Sequence, residues 1–173
     1  MTHVVKLFGD ITAEQTKKGT FVVRKGEQQV SPYEYTEVRQ LTPKCWRLRR
    51  ADVVMDDILF DSGVWLLGTK YAYVLDMLGA NSDKVLIAAV RRWGLDVFDE
   101  RGNRLAVIPD HYRLVVLDGE LLVSFASEGP APQVKVYDLR GNLLGLGPME
   151  KAIQDARMLK EILGRLARGL LIR

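Results

Sequence analysis

Four aspartates within ten residues are the densest set of groups in this sequence that could do chemistry. They are Asp52, Asp56, Asp57 and Asp61. Carboxylates are the ligands that divalent cations prefer, but this spacing does not match a calcium-binding loop. We expect these aspartates to have a structural role. An enzyme built on them would need a metal-dependent activity that is lost in Asp56→Asn or Asp57→Asn.

Histidine, cysteine, serine and glycine patterns offer no further catalytic set. His3 and His111 have no neighbouring His or Cys at metal-ligand spacing, and Cys45 is the only cysteine. No serine lies in a Gly-x-Ser-x-Gly turn. The turn Gly145-Leu146-Gly147 precedes a predicted helix, but Glu150 stands where a dinucleotide fingerprint has its third glycine. We therefore predict no catalytic residue, no cofactor and no metal, and we expect these glycines to let the chain turn from sheet into helix.

A short basic stretch holds one tryptophan among four cations. The candidate nucleic-acid contacts in it are Lys44, Arg47, Arg49 and Arg50. Guanidinium groups can hold phosphates while an aromatic ring stacks on bases. On a strand, however, side chains alternate between faces, so Arg47 and Arg49 lie opposite Trp46, and we expect Trp46 in the core. The alternative interpretation is a solvated strand face whose charges protect a sheet edge.

The net charge of +3 is unevenly distributed along the chain. Residues 1–50 carry ten Lys or Arg against five Asp or Glu, residues 51–148 carry nine against fourteen, and residues 149–173 carry six against three. Two basic ends favour a polyanionic partner. Nucleic acid is therefore kept as an alternative partner.

Composition also bears on location. A single cysteine excludes an internal disulfide, and residues 1–6 lack the apolar core of a signal peptide. No run of about 18 apolar residues exists, so we predict no membrane span and a cytoplasmic protein. Asn occurs only three times, which together with scarce Cys is typical of thermophilic proteins.

A repeated corner indicates the elements that position these groups. The three copies are Val74-Leu75-Asp76-x-x-Gly79, Val97-Phe98-Asp99-x-x-Gly102 and Val136-Tyr137-Asp138-x-x-Gly141. Asp at the first position of a type I turn accepts backbone N–H bonds, and Gly three residues later supplies a positive φ. Arg101 and Arg140 occupy matching turn positions, which makes both candidate protein contacts.

About fourteen short apolar or alternating runs lie between Val4 and Leu146, with tight turns between them. Helical periodicity is absent between Val64 and Leu146, which predicts a mainly β fold built as an antiparallel hairpin meander. We predict a β domain over residues 1–148, with a basic part at 1–50 and repeat hairpins at 64–147. A C-terminal amphipathic helix follows at 149–173.

Residues 95–105 and 134–144 are identical at six of eleven positions, and each follows an apolar strand. This pattern, with Val-Tyr-Asp-Leu-Arg-Gly-Asn as its clearest piece, resembles the inner strands of β-propeller blades over about half the chain. The resemblance implies about four strands per blade, too few blades here to close a ring, and hence a partner chain or an open arc. A sandwich or a barrel built from the same hairpins is the alternative architecture.

The C-terminal segment is predicted to be a helix from about Met149 to about Leu171, because apolar residues recur there every three or four positions. The helix face is expected to pack on its own β domain, to self-associate or dock on another protein, or to adsorb on a membrane. Leu159, Leu163 and Leu166 are its candidate protein contacts.

These observations favour a non-catalytic interaction or scaffold module of an intracellular assembly, with a protein partner or further copies of itself. The alternative is a nucleic-acid-binding protein that uses the basic N-terminal segment. Nucleic-acid affinity that falls steeply with salt would favour that alternative.

Overall fold

The computed structural model describes residues 3–78, 85–92, 94–108, 113–117, 120–125 and 131–170. In these residues the chain is mainly antiparallel β-structure with one C-terminal helix, which confirms the fold class predicted from the sequence. No helix among them has the length and hydropathy that a membrane span requires.

The first sheet has eight strands in the order β1-β2-β3-β5-β6-β7-β8, with β4 paired to β3. The strands are β1 (Val4–Phe8), β2 (Ile11–Gln15), β3 (Phe21–Lys25), β4 (Gln28–Gln29), β5 (Tyr35–Thr42), β6 (Cys45–Arg50), β7 (Asp56–Phe60) and β8 (Trp65–Tyr71). Apart from β3 and β5, neighbours in the sheet are consecutive in sequence, because tight turns suffice to join antiparallel strands.

Two further sheets have four strands each, in the orders β12-β11-β10-β9 and β13-β14-β15-β16. Their strands are β9 (Tyr73–Leu78), β10 (Val85–Arg91), β11 (Gly94–Phe98), β12 (Arg104–Ile108), β13 (Arg113–Leu117), β14 (Leu121–Phe125), β15 (Gln133–Asp138) and β16 (Leu143–Pro148). The helix α1 (Met149–Leu170) follows β16 directly. Four-stranded meanders have the strand count of propeller blades. The propeller, sandwich and barrel alternatives stay predictions.

The chain divides into two compact units. Unit 1 contains the described residues of 1–76, 85–92 and 96–104, and unit 2 contains the other described residues. The domain division at residue 148 that the sequence suggested stays a prediction.

In unit 1, both faces of β6 and β7 are buried. Trp46, Leu48 and Leu59 belong to one apolar cluster, and Cys45 and Phe60 belong to another. Successive side chains of a strand point to opposite faces, so two adjacent strands supply both clusters. Trp46 is buried, which confirms the prediction that it is a core residue.

In unit 2, α1 packs on β15 and β16. Ala152 and Ala156 of the helix are buried against a cluster that includes Val134 and Val136. A Cβ at Gly145 would overlap the backbone carbonyl of Ala152, so only glycine allows this close approach. The sequence suggested a turn glycine here, and the closeness of helix and strand is the physical reason for the residue.

Candidate functional site

Asp56 is a buried carboxylate at the first position of β7. Its cross-strand neighbour is Arg49, whose Nε lies 2.6 Å from Asp56 Oδ1. Arg47 Nε lies 3.9 Å from Oδ2, and the backbone N–H of Val74 donates to Oδ2 at 2.9 Å. Burial raises the pKa of Asp56 above its ordinary range, and the two guanidinium groups oppose that shift. The carboxylate is thus the centre of a buried ion-pair network.

Asp57 points to the opposite face of β7, as the period of a strand requires. Its Oδ2 accepts a hydrogen bond from the Tyr35 hydroxyl at 3.1 Å, and its Oδ1 accepts one from the backbone N–H of Thr69 at 3.1 Å. The Tyr35 hydroxyl also lies 2.5 Å from the Ser31 hydroxyl, and burial raises the pKa of Tyr35. Protein donors therefore satisfy both oxygens of Asp57.

The other members of the aspartate set lie apart from this pair. Asp52 is exposed and lies 2.5 Å from a guanidinium nitrogen of Arg50, whose hydrogen bond lowers the pKa of Asp52. Asp61 is exposed in the turn after β7. Within the described ranges, no three His, Cys, Asp or Glu side chains come close enough to share a metal ion. His111 lies outside these ranges, and His3 meets the edge of the Phe21 ring.

All four cations of the basic stretch have a carboxylate within 4.0 Å. The pairs are Lys44 with Glu100, Arg47 with Glu37 and Asp56, Arg49 with Asp56, and Arg50 with Asp52. A phosphate backbone bound here would compete with these ion pairs. The nucleic-acid hypothesis stays a prediction, and these are the contacts that such binding would displace.

Two of the predicted corners lie within the described residues. Asp99 Oδ1 accepts the backbone N–H groups of Arg101 and Asn103 at 2.8 and 2.9 Å, and Oδ2 accepts the Asn103 amide at 2.8 Å. The corner at Asp138 repeats these three distances with its own matching residues. The third copy has its Gly79 outside the described residues.

The hydrogen bonds of each corner stabilise a carboxylate anion. Burial works to raise the pKa of Asp99 and Asp138, but the hydrogen bonds from the following Asn and Arg prevail and hold the pKa of both below the ordinary range. Gly102 has a φ of 81° and Gly141 a φ of 84°. The repeated residues thus build the turn itself.

The surroundings of the two corners differ. In unit 1, a Cβ at Gly102 would lie 2.7 Å from a ring carbon of Phe60, and the Ser62 hydroxyl donates to the carbonyl of Arg101 at 2.6 Å. In unit 2, a Cβ at Gly141 would lie 3.2 Å from the Cβ of Ala106. The first corner is therefore packed more tightly than the second.

The two halves of α1 differ in exposure. Ala152 and Ala156 in the first half are fully buried, whereas all residues from 161 to 168 are exposed. Leu163 is 50% exposed and Leu166 is 58% exposed. The sequence left three possibilities for the helix face. The first half of α1 follows one of them, since it packs on the chain's own β-structure. In the second half the apolar residues have no cover among the described residues.

An open groove of about 590 Å³ lies beside this exposed half, within unit 2. Lys160, Leu163 and Gly164 of α1 form one side, and the β15–β16 corner with Arg140 forms the other. Leu144 also lines the groove. Two predicted protein contacts, Arg140 and Leu163, are therefore brought together, whereas Arg101 lies in unit 1.

Sequence reasoning found these residues singly and missed the groove. Arg140 and Leu163 are far apart in sequence, and only the packing of α1 on β15 and β16 relates them. It also missed the buried Asp96, which accepts the Tyr71 hydroxyl at 2.8 Å and pairs with Arg91 at 2.9 Å. The sequence signal that could have indicated this buried carboxylate is a single acidic residue within the otherwise apolar run of β11.

Comparison with known proteins adds little to this description. No protein-family profile matches the chain, and no curated protein matches it. A solved structure described as "Crystal structure of the eukaryotic initiation factor" is similar with a TM-score of 0.44 and 11% sequence identity. The similarity covers 86% of this chain and 42% of that one. At this level it supports no inference about fold or function.

Proposed function

We propose that this chain is a non-catalytic interaction module of an intracellular assembly, and that it binds a protein partner beside the exposed half of α1. The observation that carries the proposal is the exposure of Leu163 and Leu166 on a helix that packs on its own sheet through the buried Ala152 and Ala156. Burying a leucine side chain contributes about 1.5–3 kcal/mol, so an uncovered pair is a strong anchor for a partner. The β-structure of unit 2 holds this anchor in place.

The buried aspartates support a non-catalytic role. Asp56 and Asp57 are fully buried. Both oxygens of Asp57 and Oδ2 of Asp56 accept hydrogen bonds from the chain, and the Arg49 guanidinium lies 2.6 Å from Asp56 Oδ1. A general base or a metal ligand must reach its substrate or ion. These groups are better explained as fixed points that hold β7 against its neighbours.

A double variant tests the proposal. Leu163→Ser with Leu166→Ser removes the anchor without touching Ala152 or Ala156, the buried residues of the helix. Leu146→Ser is the matched control, because Leu146 is 60% exposed and lies in the same unit. We expect the wild type and the control to capture the same proteins from the native host. The double variant should lose affinity for them by about a hundredfold.

Equal capture by the double variant and the wild type would refute the proposal. Recovery of nucleic acid in place of protein, with a steep loss between low and high salt, would favour the alternative function. A dimeric mass of the purified wild type that becomes monomeric in the double variant would identify the partner as a second copy.

A further inference from the structure

We infer that the partner at the exposed half of α1 is a second copy of this chain, which packs its own α1 antiparallel against the first. This inference rests on the proposed function and names the partner of the same surface. It is argued from the shape, area and charge of one apolar stripe on α1, which lies in unit 2.

The stripe consists of five apolar side chains on one side of the helix. They are Met158, Leu159, Ile162, Leu163 and Leu166. Each is between 37% and 58% exposed. Their spacings of three and four residues place them beside one another on the helix surface. The charged residues of the same stretch, Lys160, Glu161 and Arg165, point in other directions around the helix, so the stripe is continuous and uncharged.

An antiparallel pair of identical helices covers this stripe on both copies at once. A two-fold axis through the middle of the stripe brings Ile162 and Leu163 against their own copies. It also sets Leu159 of one helix opposite Leu166 of the other. The same patch is then buried on both copies, as a closed dimer requires. Because the stripe is apolar over its whole length, it is its own complement.

The area of the stripe is sufficient for a dimer. Five half-exposed side chains of this size present on the order of 400–500 Å², which is as large as the largest apolar patch of a typical monomer. Pairing removes such a patch from both copies, so the apolar burial approaches the total of about 1,000 Å² that a specific interface needs. We therefore expect a dimer with a dissociation constant on the order of 10 µM.

The charges beside the stripe do not oppose self-association. Lys160 donates a hydrogen bond to Glu120, and a guanidinium nitrogen of Arg165 lies 2.5 Å from Glu161. Each of these cations is thus paired with a carboxylate of its own copy. Two copies that bring this face together therefore meet little like-charge repulsion.

The buried part of α1 holds the stripe in position for a second copy. Ala152 and Ala156 pack against the cluster on β15 and β16, whereas the stripe lies further along the helix, where its side chains stay half-exposed. Leu163 belongs both to the stripe and to the lining of the groove. The second copy therefore also borders the groove.

The test is the mass of the purified full chain in solution, measured by analytical ultracentrifugation over a range of about 1–200 µM. We expect monomers at the bottom of this range and dimers at the top. Leu163→Ser with Leu166→Ser should raise the dissociation constant by about a hundredfold or more and leave a monomer. Leu146→Ser, the matched control, should dimerise like the wild type.

A cysteine at the axis gives a readout that increases when the inference is correct. Ile162→Cys should form a disulfide-linked dimer on mild oxidation, because its two copies face each other. Arg168→Cys places the thiol on the opposite side of the helix and should form far less of this product. The native Cys45 is buried and does not interfere.

The outcomes separate this inference from the proposed function. A wild type that stays monomeric at about 200 µM would overturn the second copy. If such a chain still captures proteins from the native host through Leu163 and Leu166, the interaction module stands with a different partner. If capture is also unchanged in the double variant, both proposals fail. A dimer that links Ile162→Cys and Arg168→Cys equally well would have its contact elsewhere, and the inference would be wrong.

Discussion

The corners at Asp99 and Asp138 share their Asp, Arg, Gly and Asn residues and the three hydrogen bonds that the aspartate accepts, yet they meet different surroundings. In unit 1 the corner packs against Phe60 and Ser62, whereas in unit 2 its counterpart borders an open groove. The repeated sequence therefore encodes the geometry of a turn, and the residues outside the repeat decide what that turn does. The following changes test this difference.

Alanine at the corner glycines should produce the largest effect. Both positions have positive φ, which costs alanine about 1–2 kcal/mol. Gly102→Ala also places a Cβ 2.7 Å from the Phe60 ring, and such overpacking typically costs about 1–3 kcal/mol more. We expect losses in the free energy of unfolding of about 2–5 kcal/mol for Gly102→Ala and about 1–2 kcal/mol for Gly141→Ala, measured by urea denaturation.

Gly19→Ala is the control for backbone strain alone. Gly19 has a φ of 85°, and a Cβ there would meet no atom within 4 Å. It should therefore resemble Gly141→Ala more than Gly102→Ala. Equal losses for Gly102→Ala and Gly19→Ala would contradict the tighter packing of the first corner.

Asparagine at the corner aspartates should affect both corners equally. Asp99→Asn and Asp138→Asn each remove an anion that accepts three hydrogen bonds, which should cost about 1–2 kcal/mol near neutral pH. The folded-state pKa of each aspartate is lowered, so its contribution is fully present above the unfolded value of about 3.9. The contribution is lost as pH falls through the folded pKa.

Urea denaturation at neutral and at acid pH checks this expectation. The gap between the wild type and each variant should narrow as pH falls below about 4. Clearly unequal losses at neutral pH would mean that the surroundings, rather than the shared turn, set the strength of these hydrogen bonds. A gap that persists at acid pH would show that the charge of the aspartate is not what stabilises the corner.

Ser62→Ala should have a smaller effect, confined to the first corner. The variant loses the hydrogen bond to the Arg101 carbonyl, which contributes about 0.5–1.5 kcal/mol. We expect faster hydrogen exchange at the Gly102 amide and no change at the Gly141 amide. Faster exchange at both amides would mean that the variant destabilises the chain as a whole.

Much of the β-structure could be predicted from local pattern. Each of the fourteen predicted runs overlaps a strand, and the strands missed among the described residues are β2 and β4. The run Ile-Thr-Ala-Glu-Gln of β2 has only two apolar side chains, both buried. It is a strand because it pairs with β1 and β3, which the local sequence does not indicate. The two glutamines of β4 pair only with β3 and are exposed, so no apolar signal marks them.

The candidate site was less predictable because it depends on distant packing. Periodicity identified the apolar stripe of α1, but nothing in the stripe indicates that packing ends near Ala156 and leaves Leu163 exposed. Likewise, the basic stretch suggested free cations, whereas their carboxylate partners lie on other elements such as β5 and β7. The register between neighbouring strands determines which carboxylate faces each cation, and that register cannot be read from a single sequence.

Alanine at the two corner arginines should have the smallest effect on stability. It tests most directly whether the two corners differ in their role in binding. Both side chains are exposed, so Arg101→Ala and Arg140→Ala should each change the free energy of unfolding by less than about 0.5 kcal/mol. Only Arg140 lines the groove, so only Arg140→Ala should weaken binding of the protein partner captured from the native host. Isothermal titration calorimetry with that partner measures both affinities. If Arg101→Ala weakens binding as much as Arg140→Ala does, the two corners share one role, and the groove is not what distinguishes them.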